Sequence, residues 1–457
     1  MSSLVEVTKP ARRDAATGRT VAIVGGGATG ALLARALIRR THQDVVLIAP
    51  DEVAGRGVAY GAAEPWHILN ARAGSMTADF DDPLDLVRWC TARGRPTQPC
   101  EFLPRSVYGD YLAERFTETV LESAGRLRHH RATATALHRE HGGYVIVTDT
   151  GPVRADQVIL AVGNPPAARL PGIDDAAYSH PLFITDPWAP RPELPSDAPI
   201  LLIGSGLTAV DVALTLDAAG HRGPIESISR HGLLPQAHPV NAPAQVRLDL
   251  PADLTLRRLL RQVRATVDAG ADWIAVVDEL RHHADEIWDS FTEADRDRFL
   301  RHVVRYWDIH RHRMAPPVAA KIADLRRRDR LRFTTGRVTA ISPDPAGGLT
   351  VTTTAGPRHF AAVISCTGPG RLPGSATANP LLAALFRGGG IRTAPHGLGV
   401  DTDPDGRVYD AIGRIRPGLW LAGPLRRGRS WEATAVPEIR AQINRLVTAL
   451  TLQPAAR

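Results

Sequence analysis

Short apolar runs along the chain alternate with stretches spaced for helices. Residues 20–24 read Thr-Val-Ala-Ile-Val and residues 45–48 read Val-Val-Leu-Ile, while the intervening Ala-Leu-Leu-Ala-Arg-Ala-Leu at 31–37 has the composition of a helix. Continuous apolar runs on either side of a helix predict strands of a parallel sheet buried on both faces. The order recurs further along, with a strand at 199–203, a helix at 212–219 and a strand at 225–229.

A longer period joins the two copies. Residues 126–163 start Arg-Leu-Arg, turn at Gly142-Gly143 and close on Gln157-Val-Ile-Leu-Ala-Val-Gly163; residues 330–368 start Arg-Leu-Arg, turn at Gly347-Gly348 and close on Ala362-Val-Ile-Ser-Cys-Thr-Gly368. Each copy predicts a three-stranded meander returning to a buried strand. Residues 233–328 interrupt the second unit with helical spacing at 254–267, 273–286 and 293–307, an insertion fit for a substrate cap or for a packing or oligomer element. Beyond 368, a strand near 419–422 and an amphipathic helix at 436–450 are expected to return to the first unit.

Each first strand runs into a glycine turn. In Gly25-Gly26-Gly27-Ala28-Thr29-Gly30, Gly25 permits the tight turn, Gly27 lets backbone N–H groups approach a pyrophosphate, and Gly30 allows close helix–strand packing. The second turn is Gly204-Ser205-Gly206-Leu207-Thr208-Ala209, with alanine in the third place. A helix N-terminus supplies partial positive charge to phosphates at either turn. The strand ends differ: Asp51 follows the first and is placed to accept a ribose hydroxyl, whereas Arg230-His231 follow the second, where a 2′-phosphate would lie. The pattern predicts a dinucleotide without a 2′-phosphate at the first turn, near Gly163, and NADPH at the second, near Thr367 and Gly368. A solvated arginine at a strand end is the plainer account of Arg230.

The fold class expected is α/β, with two Rossmann-like dinucleotide-binding domains, β-meanders and a mainly helical insertion. Its parts are a disordered tail at 1–19, a first domain at 20–195, a second at 196–368 containing the insertion at about 233–328, and a return to the first at 369–457. Composition narrows the function further. With 44% hydrophobic and 23% charged residues in a chain of 457, a large core is available. The net charge of +7 comes from 55 basic residues, of which only Lys9 and Lys321 are lysines, but acids are mixed among them throughout. That mixing argues against a nucleic-acid-binding stripe. The three cysteines form no CxxC pair, which argues against a dithiol reductase and for a reducing, cytoplasmic setting. No apolar run reaches the ~18 residues of a membrane span, and the 17 histidines show no zinc-like spacing.

Several strings carry a resemblance. Gly55-Arg56-Gly57-Val58-Ala59-Tyr60-Gly61, His67-Ile68-Leu69-Asn70, Asp81-Asp82-Pro83, Ser229-Arg230-His231-Gly232-Leu233-Leu234-Pro235, Gly423-Pro424-Leu425-Arg426-Arg427-Gly428 and Trp431-Glu432 look like the bacterial FAD/NAD(P)-binding group that includes L-aspartate N-monooxygenase. More broadly, the paired turns and the C-terminal strand–loop–helix resemble the flavoproteins with two dinucleotide-binding domains. The resemblance implies FAD on the first domain, NADPH on the second and the flavin ring between them. It extends the FAD set to Gly57, Tyr60, His67, Leu69, Asn70, Met76, Gly163, Gly423 and Trp431. Pro424 departs from the aspartate that holds the ribityl chain in most such proteins; Glu432 or backbone amides near Arg426 would replace it. The Baeyer–Villiger signature is not met by Tyr178-Ser179-His180 and Trp188.

The reaction implied is monooxygenation through a flavin C4a-hydroperoxide, attacked by the neutral amine of a small amine or amino acid, with acidic amino acids among the candidates. It needs a dry pocket rather than a protein nucleophile. Asn70, Trp431 and Glu432 are expected at the flavin, with core packing the alternative for Trp431. His238, Asn241, His310, Arg311, Arg313 and Arg427 are expected to hold the substrate, since guanidiniums take carboxylates bidentately. Salt bridges and coenzyme phosphates are the competing uses of those arginines. Molecular oxygen is the co-substrate, and a homo-oligomer fits the insertion. The rival functions are a flavin-dependent NADPH oxidoreductase without oxygen insertion and a non-catalytic nucleotide-binding protein.

Overall fold

The computed structural model describes residues 19–452 apart from 141, 191, 242, 252 and 375–377. The tail expected at 1–19 therefore lies, Arg19 aside, outside the described residues. Strands β1 (Thr20–Val24), β2 (Asp44–Ile48) and β3 (Leu127–His130) are followed by a meander of β4 (Ala134–Glu140), β5 (Gly143–Thr148) and β6 (Gly151–Ala155), then β7 (Gln157–Leu160). The second unit comprises β8 (Phe183–Ile184), β9 (Ile200–Ile203), β10 (Ile225–Ser229), β11 (Leu331–Thr335), the meander β12 (Val338–Pro343), β13 (Leu349–Thr353) and β14 (Gly356–Phe360), and β15 (Ala362–Ser365). Near the C-terminus lie β16 (Arg407–Tyr409) and β17 (Ile415–Leu421).

The first sheet runs β16-β17-β7-β1-β2-β3, parallel except for β16, and the second runs β11-β10-β9-β15-β8, parallel throughout. Strand periodicity explains the continuous apolar runs. Val21 and Ile23 face a core built with the helices Ala28–Arg40, Arg105–Glu122 and Val436–Thr451, while Ala22 and Val24 face the meander β4–β6 and the helix Pro380–Arg387. The second unit repeats this: Ile200 and Leu202 pack on helices, Leu201 and Ile203 on the meander β12–β14. With both faces covered, a polar residue in either strand would have no water to turn to.

The insertion has its own core, with helices Leu256–Asp268, Trp273–His282, Ala284–Ser290, Glu293–Arg298 and Val304–Arg311 gathered around Val276, Trp288, Phe291 and Phe299. One π-helical turn, Phe299–Val303, precedes the last of these. The helix Pro316–Arg327 then packs in the second unit's core through Val318, Ile322 and Leu325.

Candidate functional site

Two glycine turns sit at the C-terminal ends of β1 and β9, where open parallel sheets place their ligands. In the first, Gly25 has φ +117°, and a Cβ there would lie 2.3 Å from the Ala161 carbonyl oxygen. A Cβ on Gly30 would lie 1.9 Å from the Gly25 carbonyl oxygen. Both positions are glycine because the protein itself leaves no room. Gly27 is different: a Cβ there would meet only the Gly57 Cα, at 3.7 Å. Gly27 also caps the helix Ala28–Arg40 without any side-chain hydrogen bond to its first N–H groups. A cradle with space above it and donors aimed into it fits a pyrophosphate.

The second turn repeats the design. Gly204 has φ +119° and would place a Cβ 2.5 Å from the Cys366 carbonyl oxygen, whereas a Cβ on Gly206 would meet nothing within 4 Å. Gly206 caps the helix Leu207–Ala218, again with no side-chain bond, and Leu207 and Thr208 are half-buried in its first turn. Thr367 and Gly368 follow β15 beside it; the Thr367 hydroxyl lies 3.3 Å from that of Ser365. Both turns thus fit the phosphates of a dinucleotide by the same observation.

Around the first turn, Asp51 is exposed, with its Oδ2 3.7 Å from where a Cβ on Gly26 would stand. Gly163 has φ +76° and open space beside it. Gly423 backs onto Thr29, whose Oγ1 would lie 2.8 Å from a Cβ there, and its N–H donates to the buried Gln442 Oε1 at 3.0 Å. Tyr60 meets Tyr108 edge-on at 4.8 Å, and burial pushes its phenol up to about 12. Asn70 is half-buried, and its side-chain amide makes no hydrogen bond among the described residues.

Other expected positions are held by packing and hydrogen bonds within the protein. The side chains of Leu69 and Met76 belong to the first core and support the loop from beneath. His67 is buried with both ring nitrogens in use: Nδ1 accepts from the Glu64 N–H at 3.1 Å, so Nε2 donates, lying 2.9 Å from Thr215 Oγ1 and 3.2 Å from the Asp211 carbonyl oxygen. It ties the loop of the first unit to the helix Leu207–Ala218 of the second. Trp66 joins it through Nε1 to Thr215 Oγ1 at 3.1 Å, and Arg105 pairs with Asp211 at 2.8 Å. Burial outweighs that arginine and holds the Asp211 carboxyl up at about 6.

Trp431 and Glu432 have partners in the insertion. Trp431 stacks on Trp288 with centroids 4.8 Å apart and meets Phe299 edge-on at 4.9 Å, so it plugs the insertion's core. Glu432 is buried; its Oε1 accepts from Trp307 Nε1 at 3.0 Å and its Oε2 from Arg311 Nε at 3.1 Å. Arg311 in turn lies 3.7 Å from Glu438, which binds Arg281 at 2.6 Å. The buried network pairs a residue expected at the flavin with one expected at the substrate, and each satisfies the other. Breaking one such pair costs about 3–5 kcal/mol because it strands a buried charge.

His238 and Asn70 do come together: the His238 Nε2–H donates to the Asn70 carbonyl oxygen at 2.9 Å, and burial and Arg313 depress the imidazole to about 4. Arg313 is 4% exposed and reaches Asp278 with one nitrogen at 2.6 Å, while its Nε and Nη1 are buried without a hydrogen-bond partner. Arg427 lies over the Trp431 ring at 4.3 Å with Asp308 4.0 Å away. His310 donates through Nδ1 to the Tyr306 carbonyl oxygen at 2.6 Å and meets Trp273 edge-on at 4.4 Å, which turns it toward the insertion. Asn241 is exposed in the loop beyond His238, and Arg230 and His231 are exposed just past β10.

Arg105, Trp66, Asp211 and Thr215 were not foreseen; nothing in their local sequence marks a residue that will bridge two domains. Among the described residues no helix is long and apolar enough to cross a membrane.

Solved structures share this fold across nearly the whole chain. The FAD-bound cadaverine monooxygenase of desferrioxamine biosynthesis from Erwinia amylovora is 14% identical with a TM-score of 0.66, over 96% of this chain and 95% of that one. The ornithine N-hydroxylase of Kutzneria sp. 744, with reduced FAD, NADP+ and L-ornithine, is 14% identical with a TM-score of 0.61, over 95% and 99%. The bacillithiol disulfide reductase of Staphylococcus aureus is 13% identical with a TM-score of 0.56, over 96% and 100%. No curated protein sequence matches the chain. Residues 22–165, which hold the first glycine turn, Asn70 and Gly163, match the family model described as FAD-NAD(P)-binding.

Proposed function

We propose that this chain is an FAD-dependent, NADPH-consuming monooxygenase that hydroxylates the nitrogen of a small amine or amino acid. The observation that carries the reading is the pair of uncapped helix N-termini, at Gly27 and Gly206, each at a glycine where an added Cβ would meet no atom closer than 3.7 Å. FAD bound along the first turn would supply oxygen activation once reduced by the coenzyme of the second. The chain's own residues bind and orient. Gly25, Gly27, Ala28, Thr29, Gly30, Gly57, Gly163 and Gly423 shape the first seat, Asp51 takes the ribose, and Gly204, Gly206, Leu207, Thr208, Thr367 and Gly368 shape the second.

The Asn70 amide is offered to the flavin edge, and the neutral His238 fixes the Asn70 backbone from the other side. Arg313 and Arg427 are the cations left to hold a substrate carboxylate, because Arg311 is committed to Glu432. That choice keeps an acidic amino acid, L-aspartate first, at the head of the candidate substrates. The fold by itself does not select the chemistry, since it also carries a disulfide reductase. The cysteines favour oxygenation over dithiol exchange: no two of them form a CxxC pair, and Cys90 is buried in the first core, Cys366 is buried in the core of the second unit and Cys100 is exposed.

The test is NADPH consumption by the FAD-loaded protein with L-aspartate, L-ornithine, L-lysine and cadaverine under heavy-isotope oxygen gas, with mass spectrometry of each product. One labelled oxygen on the product nitrogen is expected. Label recovered only in peroxide or water would make the protein an oxidoreductase without oxygen insertion. A colourless protein that takes up no FAD would make it a non-catalytic relative.

A further inference from the structure

Parallel pairing of β10 with β11 sets Ser229 opposite Thr335, so both strands stop at one level beside the second glycine turn. Arg230 follows the first strand; the Gly336 N–H donates back to the Ser229 carbonyl oxygen at 2.9 Å and so brings Arg337 to the same rim. Ser205, inside the turn, donates its hydroxyl to the Leu233 carbonyl oxygen at 2.6 Å and lies 2.9 Å from the Ser229 hydroxyl, tying the turn to the loop that leaves β10. That loop is stitched to the insertion, because the Gln236 N–H donates to the Ile309 carbonyl oxygen at 2.9 Å. One turn before Ile309, on the same helix, stands Arg305, two residues past the π-helical segment.

These positive groups all act on His231, the neighbour of Arg230. Among the described residues, none of Arg230, Arg305 and Arg337 has a carboxylate within 4 Å. The Arg305 Nε is buried without a hydrogen-bond partner. Burial, and after it Arg305, Arg230 and Arg337, push the His231 imidazole downward, and burial and Arg230 do the same to Arg305. The nearest acid felt by Arg305 is Asp308, which Arg427 shares and whose carboxyl burial raises to about 6. Guanidiniums gathered against their own repulsion at the rim of a phosphate-binding turn call for a dianion.

We propose that Arg305, carried by the helical insertion, joins Arg230 and Arg337 to seat the 2′-phosphate of the coenzyme's adenosine ribose. The insertion is then part of the coenzyme site as well as a wall of the cleft, and preference for NADPH over NADH is shared between two structural units. This rests on the reading that the second turn takes a nicotinamide dinucleotide. The probes are 2′,5′-ADP and 5′-ADP, titrated by calorimetry into the FAD-loaded protein, with Arg305→Ala and Arg337→Ala alongside. Removing either guanidinium should weaken 2′,5′-ADP binding roughly tenfold to a hundredfold and leave 5′-ADP unchanged, the effect of one charge-assisted hydrogen bond. Two variants in separate units guard against local misfolding, which would weaken both probes together. Equal weakening of both probes in Arg305→Ala, or of neither, overturns the role of Arg305. If 5′-ADP binds and the 2′-phosphate adds nothing in the unmodified protein, the phosphate seat is wrong and the dinucleotide site survives. If neither probe binds, the reading of the second turn falls with it.

Discussion

The two glycine turns are built on one plan and differ in how they are enclosed. At the first, Gly57 comes within van der Waals reach of Gly27, the Gly55 N–H donates to the Gly26 carbonyl oxygen at 2.7 Å, and Gly423 closes against Thr29. At the second, nothing stands within 4 Å of the position a Gly206 side chain would take, and Gly368 is exposed. Each following helix also buries one charge. Arg35 pairs with Asp79 at 2.9 Å inside its own domain, whereas Asp211 pairs with Arg105 across the domain boundary. A walled seat suits a coenzyme that stays; an open one suits a coenzyme that arrives and leaves each cycle.

The sharpest way to break this comparison is to fill each cradle in turn. Gly27→Val should yield protein that refolds but carries no FAD, read as loss of yellow colour. Gly206→Val should keep the colour and lose NADPH binding. Equal effects of the two would end the distinction between the seats.

Next comes the third position of the motif. Gly30→Ala forces a Cβ into the Gly25 carbonyl and should cost about 3 kcal/mol or more, visible as a large fall in Tm. Asp211 provides an effect of similar size but with a pH signature. Its folded pKa of about 6 lies above the ordinary 3.8, so the folded state binds the proton more tightly than the unfolded state. Stability should therefore decline as pH rises from about 4 to about 6, by on the order of 3 kcal/mol in full, and level off above. Asp211→Asn should flatten that part of the curve in denaturant titrations. Smallest is Ala209→Gly, the reverse of the Gly30 change, which should cost only about 1 kcal/mol through helix propensity.

Legibility followed the range over which each residue's partner lies. The glycine turns could be read because Gly25, Gly30 and Gly204 answer to carbonyls fixed by the same motif or by the strand alongside it. The paired meanders and the helical insertion could be read because alternation and helical spacing are local. Trp431, Glu432 and His67 could not. Trp288 and Arg311, which claim Trp431 and Glu432, lie more than a hundred residues away, and His67 is claimed by Thr215 on another domain. With 55 basic residues among 48 acids, the sequence also hides which arginines are already paired. Only the geometry separates Arg311, committed to Glu432, from Arg305, which has no such partner.

The first sheet draws β1, β2, β3 and β7 from the front of the chain and β16 and β17 from its end, with Gly423 and Gln442 closing the seam. Everything needed for the second sheet emerges from the ribosome earlier. During synthesis the second unit can therefore finish while the first waits open-edged for its last strands. Uptake of a coenzyme at the first turn then waits on those strands, and removing the helix Val436–Thr451 should leave a half-closed, aggregation-prone chain.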